Sequence, residues 1–270
     1  NKRQKRMIRE GKHMDKLDML SALLAEFEVV DLSHTIENGM PRWPTHPHIV
    51  VYPCCTHEHD GFYNQCLVMG EHTGSHVDAP AHTVPEMKER TIDTLAPNAI
   101  CAPAVVYDCR EFKLGPGDRL TAGQILELEN RMNLSAGEGE IAIFNFGWEK
   151  YWSTEAQWQF FAQNEPGLTE EAVELIRDRR VKAVAFDTVS SDMPIKDGLE
   201  YESTGHYKHW LPHGILLIEE LKNLDKLPSK CYFVAIPLKI KGGSGSPIRP
   251  LALVDKNATG NCFNTVTVLP

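Results

Sequence analysis

Apolar residues recur at helical spacing near the start of the chain. Leu17, Leu20, Leu24 and Phe27 fall on one face, which predicts an amphipathic helix over residues 15–27. The pattern then changes to short runs rich in β-branched and aromatic residues. Residues 29–32, 65–69, 105–107, 141–146, 181–186, 215–218 and 231–238 read as strands. Thr121 with Gln124 makes a capping-box signature ahead of a helix over 122–131. A further helix is predicted over 168–180, opening on Thr169-Glu170-Glu171 and closing in a basic cluster, the order that a helix dipole favours. The aromatic run at 151–161 (YWSTEAQWQFF) reads as an amphipathic surface helix. Strands and helices interleave, so the class is mixed α/β. No repeat or linker divides the chain, and the glycine cluster at 242–245 lies too near the end to separate domains. Residues 15–270 therefore read as a single domain. Residues 1–14, NKRQKRMIREGKHM, are basic and lack an apolar core, and read as a disordered or vector-derived leader.

Composition narrows the function classes. A 42% hydrophobic content over 270 residues can fill a sizeable core. The net charge of -9 argues against nucleic acid, which needs a basic face, and no apolar run reaches membrane-spanning length. Seven cysteines without regular spacing fit reduced thiols and a cytoplasmic location.

Chemistry concentrates in one segment. Residues 70–82 read GEHTGSHVDAPAH and bring His72, His76 and Asp78 within seven positions, with His82 four further on. On an extended strand His76 and Asp78 share a face, because side chains alternate with period two. Gly74 lets the backbone bend so that His72 can reach the same point. Two imidazoles and a carboxylate suit Zn²⁺ or Mn²⁺ and leave positions open for water and substrate. Pro80 interrupts any regular ladder, so His82 can lean toward the ion as an acid–base group, a fourth ligand or a group behind the ligands. Trp43, in a proline-rich loop, and Phe62, after Asp60-Gly61, are candidate substrate-binding aromatics, because loops carry recognition. His46 and His48 are held apart by proline and predict no metal site. His57 to Asp60 reads as a solvated turn, and Asp187 and Asp192 as turn organisers.

The 70–82 segment closely resembles the His-x-Gly-Thr-His-x-Asp-x-Pro-x-His signature of the metal-dependent cyclase superfamily, which includes bacterial-type kynurenine formamidases and isatin hydrolases. Ser75 stands where Thr is usual. Met40 to Pro44, Asn145 to Trp148 with Tyr151-Trp152, Phe186 to Thr188 with Ser191-Asp192, Ile215 to Asp225 and Pro237 to Arg249 are similar to further family motifs, in the family's order. The resemblance runs from about Val29 to Leu253. It implies a swivelling β/β/α fold with a mixed central sheet flanked by helices, and a homodimer or tetramer.

It also implies an amidohydrolase acting on a small molecule, either an aryl formamide such as N-formylkynurenine or a cyclic amide such as isatin. In that chemistry His82 moves the proton, while the cation lowers the pKa of its water to near 7. A polyketide-type cyclase/dehydratase, or a metal-binding member without activity, is the alternative. Family members with a second ion hold it on a His and a Glu, and Glu219 occupies the glutamate's place. The usual His spacing then falls on Tyr207. One inserted residue restores His206, the first choice, with His209 second and His213 a loop residue. Glu219 could instead orient a ligand.

Overall fold

Strands buried on both faces must be apolar at successive positions rather than alternating. The computed structural model describes residues 15–155, 157–192, 195–196, 199–200 and 203–257. Its strands, in chain order, are β1 (Phe27–Asp31), β2 (Val50–Cys55), β3 (Asn64–Val68), β4 (His76–Asp78), β5 (Cys101–Asp108), β6 (Arg119–Leu120), β7 (Ile141–Asn145), β8 (Gly167–Leu168), β9 (Ala183–Phe186), β10 (Ile195–Lys196), β11 (Leu199–Glu200), β12 (Leu216–Glu219), β13 (Lys230–Val234), β14 (Gly245–Pro247) and β15 (Leu251–Asp255). Nine of them form one sheet in the order β1-β15-β13-β5-β7-β9-β12-β4-β14. Its centre, β5 to β12, is parallel, and both flanks are antiparallel.

Alternation along the central strands feeds two cores. Val105, Tyr107, Ala142, Phe144, Val184, Phe186 and Leu217 meet Ile125, Leu128, Val173 and Ile176 from the helices Ala122–Met132 and Glu170–Asp178. Ala104, Val106, Ile141, Ile143, Ala183, Ala185 and Ile218 face the other way, where the sheet curls so that Val77, Phe233 and Ala252 close over them. This is the expected mixed sheet flanked by helices. The Thr121–Gln124 capping box is present in both directions, and Thr169 caps the second helix.

Three expectations change. The first helix is Lys16–Leu24, shorter than predicted, and buries none of its residues. Strand β3, which leads into the 70–82 segment, does not join the nine-stranded sheet but pairs with β2 in a separate ribbon, whose tip holds the exposed turn His57–Asp60. The 151–161 run is α-helical only from Trp158 on, in the helix Trp158–Gln163, where Phe160 stays exposed while Phe161 is fully buried and its carbonyl accepts from Trp148 Nε1 at 2.9 Å. The predicted leader at 1–14 lies outside the described residues.

Trp152 stacks on His34 with ring centroids 3.6 Å apart and planes 9° from parallel. Burial, reinforced by Lys222, pushes the His34 pKa down to about 3. As pH falls below 6.5 the unfolded chain takes up a proton that the folded chain refuses. Stability is therefore whole above pH 6.5 and declines toward pH 3, by at most about 1.4 kcal/mol per pH unit. The His34→Phe variant keeps a ring on Trp152 and removes this titration. Its melting temperature should fall less steeply than the parent's between pH 6.5 and 4, and equal slopes would refute the assignment.

Candidate metal centre and active site

Strand β4 lies between β12 and β14, so its side chains look into the end of the sheet where three strands meet. The register sets His76 opposite Glu219 and Asp78 opposite Leu217. Alternation puts His76 and Asp78 on one face, as the sequence implied. Gly74, at φ +60°, bends the chain ahead of the strand and brings His72 back over it. His72 Nδ1 lies 2.6 Å from Asp78 Oδ1. A side chain at Gly245 would collide with the His72 ring, its Cβ falling 2.5 Å from His72 Cε1. His76 Nδ1 donates to the Gly74 carbonyl at 2.7 Å, which leaves Nε2 facing Asp78 at 3.4 Å and Glu219 at 3.3 Å. His82 follows on a 3-10 turn, with Nε2 3.9 Å from Asp78 Oδ2.

His206 arrives from the far end of the sequence. It sits on a π turn, Gly205–Trp210, and its Nε2 lies 3.6 Å from Asp78 and 3.3 Å from Glu219. Behind it, Nδ1 meets Ser203 Oγ at 2.8 Å, and Asp192 receives the Ser203 hydroxyl at 2.6 Å and the Gly205 N–H at 2.5 Å. Asp192 thus holds His206 in place as well as organising its own turn. Asp187 stays structural, accepting the N–H groups of Phe146 and Trp148.

Candidate ligand atoms gather in two groups among the described residues: His72, Asp78 and His82, and His76, Asp78 and Glu219. Asp78 belongs to both. Burial opposes the anion at Asp78, but His72 and His82 hold its carboxyl well below the ordinary range. Burial also opposes charge on His76, yet Glu219 and Asp78 win and keep its pKa at about 9. The same contest raises His206 well above its usual value, through Asp192, Asp78 and Glu219. His82 goes the other way: burial pushes it down to about 4, against Asp78 and with His72 and His206. Buried carboxylates among imidazoles call for positive charge, and this mixed N/O set fits a divalent ion.

The ligands line a cavity of about 280 Å³. Trp43 lines it too, but Phe62 does not: it sits at the ribbon, more than half exposed. His209 is also absent. Its Nδ1 faces Arg177 at 2.6 Å and its Nε2 faces Glu170 at 3.3 Å. In a turn widened to i→i+5 bonding, a residue three further on falls well short of a full revolution, so His206 and His209 point to different sides. Among the lining residues that sequence reasoning missed are His46, Ser190, Ser203 and Glu220. His46 and Ser190 come from loops that only the fold brings near, so local spacing carried no signal for them. Glu220 was hidden by its neighbour, since strict alternation would turn it away.

The cyclase family model, described as "Putative cyclase", matches residues 30–193, which contain the whole 70–82 motif. The chain belongs to the cyclase family. Among curated relatives of this cyclase-family chain, isatin hydrolase of Roseibium aggregatum is 30% identical over 251 residues, covering 87% of this chain and 94% of the relative. Kynurenine formamidase of Bacillus cytotoxicus is 27% identical over 230 residues, covering 83% and 96%. A crystal structure of an isatin hydrolase bound to the product analogue thioisatinate superposes with a TM-score of 0.78 at 28% identity, covering 90% of this chain and all of that one. His206 and Glu219 lie beyond the span of the family model and enter the centre through the fold alone.

Proposed function

We propose that this cyclase-family protein is a metal-dependent hydrolase of carbon–nitrogen bonds other than peptide bonds. Its substrate is a small aryl formamide of the N-formylkynurenine kind or a cyclic amide of the isatin kind. The observation that carries the reading is Asp78, common to two ligand groups on the wall of a cavity that also offers a neutral imidazole, His82. Relatives named isatin hydrolase and kynurenine formamidase support it.

His72, His76 and Asp78 would hold Mn²⁺ or Zn²⁺, and Glu219 with His206 would complete the same centre from β12 and the π turn. A divalent ion there would supply a Lewis acid for the amide carbonyl and an acidified water. His82, neutral near pH 7 and partly open to the cavity, accepts the proton of the attacking water and delivers it to the leaving nitrogen. Trp43 gives the aromatic part of the substrate a wall. Elemental analysis of the purified protein, combined with a formamide-versus-lactam activity screen before and after chelation, tests this. One or more divalent ions per chain and chelator-sensitive turnover are expected. Turnover that persists with the metal gone would overturn the reading.

Two further elements belong to the proposal. Residues 15–270 act as one domain, and the six described cysteines, all free, support a reducing, cytoplasmic setting. No helix among the described residues is long and apolar enough to cross a membrane. The protein also works as a homo-oligomer. A lone two-stranded ribbon is marginal in water, yet β2–β3 exposes Val50, Tyr52, Leu67 and Val68. A second copy of the chain covers that surface, and through it Phe62 reaches a substrate. Leu67→Asp should therefore lower the mass measured by light scattering toward one chain, and a monomeric parent protein would refute the assembly.

A further inference from the structure

Adjacent residues of an extended strand point to opposite faces, yet Glu219 and Glu220 both line the cavity. The backbone explains it. Glu220 leaves β12 in the left-handed region at φ +57°, a conformation that costs a non-glycine residue on the order of 1 kcal/mol. Both of its peptide groups are fixed there. Its N–H donates to the Thr188 carbonyl at 2.9 Å, and its carbonyl accepts from Ser75 Oγ at 2.5 Å. Strain at a buried glutamate, where glycine or asparagine would relieve it, is retained for what the side chain meets.

The side chain, near His76 and Glu219, is left with one unpaired oxygen. Glu220 is 2% exposed, and its Oε1 makes no hydrogen bond among the described residues. Ser190, two residues beyond the Thr188 carbonyl that anchors Glu220, is also 2% exposed, lines the same cavity and leaves its Oγ unpaired. Neither belongs to a ligand group. A buried unpaired polar atom costs roughly 1–3 kcal/mol, so two on one cavity wall call for a ligand that satisfies both.

We propose that Ser190 and Glu220 form the polar edge that recognises the substrate: Glu220 Oε1 accepts the N–H of a secondary amide, and the Ser190 hydroxyl donates to a second, non-reacting carbonyl of the same molecule. This rests on the hydrolase reading and narrows it to amides that carry an N–H. A carboxyl oxygen can accept that hydrogen bond in either protonation state. N-alkylation removes the donor and leaves Glu220 unpaired against a methyl group. Sites built to hydrogen-bond a substrate group reject analogues that lack it far more strongly than apolar pockets reject an extra methylene.

The test uses two probe pairs on the metal-loaded protein: isatin with N-methylisatin, and formanilide with N-methylformanilide. Dissociation constants come from calorimetry on the His82→Ala variant, and kcat/KM from the parent. The parent should prefer the N–H member by about 10-fold or more in the pair it accepts. Glu220→Leu should reduce that preference below about 3-fold, with metal content and melting temperature retained. Ser190→Ala should weaken isatin, which carries a second carbonyl, more than formanilide, which does not. Should Glu220→Leu fail to fold, the parent's preference and the Ser190→Ala contrast still decide. Equal affinity for N–H and N-methyl members in the parent, or a preference that survives Glu220→Leu, overturns the proposal. Turnover without N–H preference rejects this edge and leaves the hydrolase reading standing. N–H preference in binding without turnover of either class does the reverse, and no binding of either pair rejects both.

Discussion

Asp78→Ala should leave the purified protein without stoichiometric metal and without measurable turnover. Asp78 is the one residue in both ligand groups, it is 1% exposed, and its two oxygens face His72, His76, His82 and His206 between them. No other single substitution removes a carboxylate ligand from both groups at once. The loss in metal affinity should exceed the roughly 10–100-fold that follows removal of a group behind a ligand. Asp192→Asn supplies that milder comparison, because Asp192 stands behind His206, which it holds directly and through Ser203 and Gly205. Elemental analysis after dialysis, alongside circular dichroism to establish folding, reads the result. Retention of one ion per chain in a folded Asp78→Ala protein would remove Asp78 from the centre.

His82→Ala should have an equally large effect on rate and a small one on binding of the ion. Loss of a positioned acid–base group costs about 10²–10⁴-fold in kcat. His82 is the candidate imidazole whose pKa is pushed down, to about 4, while His76 and His206 are held up by their carboxylates. It can take a proton at neutral pH, whereas they keep theirs or give them up to a cation. Its place beside His72 and Asp78 makes the opposite outcome equally readable. If metal leaves along with activity, His82 is a ligand, and the proton is moved by another group.

The local parts of this centre were legible in the sequence because they depend on backbone rules that act over a few residues. Period-two alternation places His76 beside Asp78, and a glycine and a proline bend the chain around them. The same rules failed where the fold departs from them. At Glu220 one left-handed residue reverses the face that alternation assigns. The π turn carries one residue more than an α-helical turn, which is how His206 stands thirteen positions before Glu219 rather than at the Tyr207 spacing, and why His209 turns to Arg177 instead. His46 and Ser190 arrive on loops, where no periodicity marks them in advance. Central strands and capped helices were readable from composition and caps, but the fate of the first helix and the ribbon was not. Both expose apolar surface that the described residues leave uncovered, and single-chain periodicity holds no information about a cover.

Sharing one carboxylate between two ligand groups has a consequence for electroneutrality. Asp78 and Glu219 together supply two negative charges, and the surrounding imidazoles are neutral once they give up their protons to coordination. A single divalent cation would balance those two charges. A second would bring two further positive charges against Asp192, the buried anion behind His206, an excess that a buried site does not sustain without compensation. Double occupancy must then come with an anion of its own, whether hydroxide, a product carboxylate or an added halide. The number of ions per chain becomes a function of pH and of the anions in solution, not a fixed property of the ligand list.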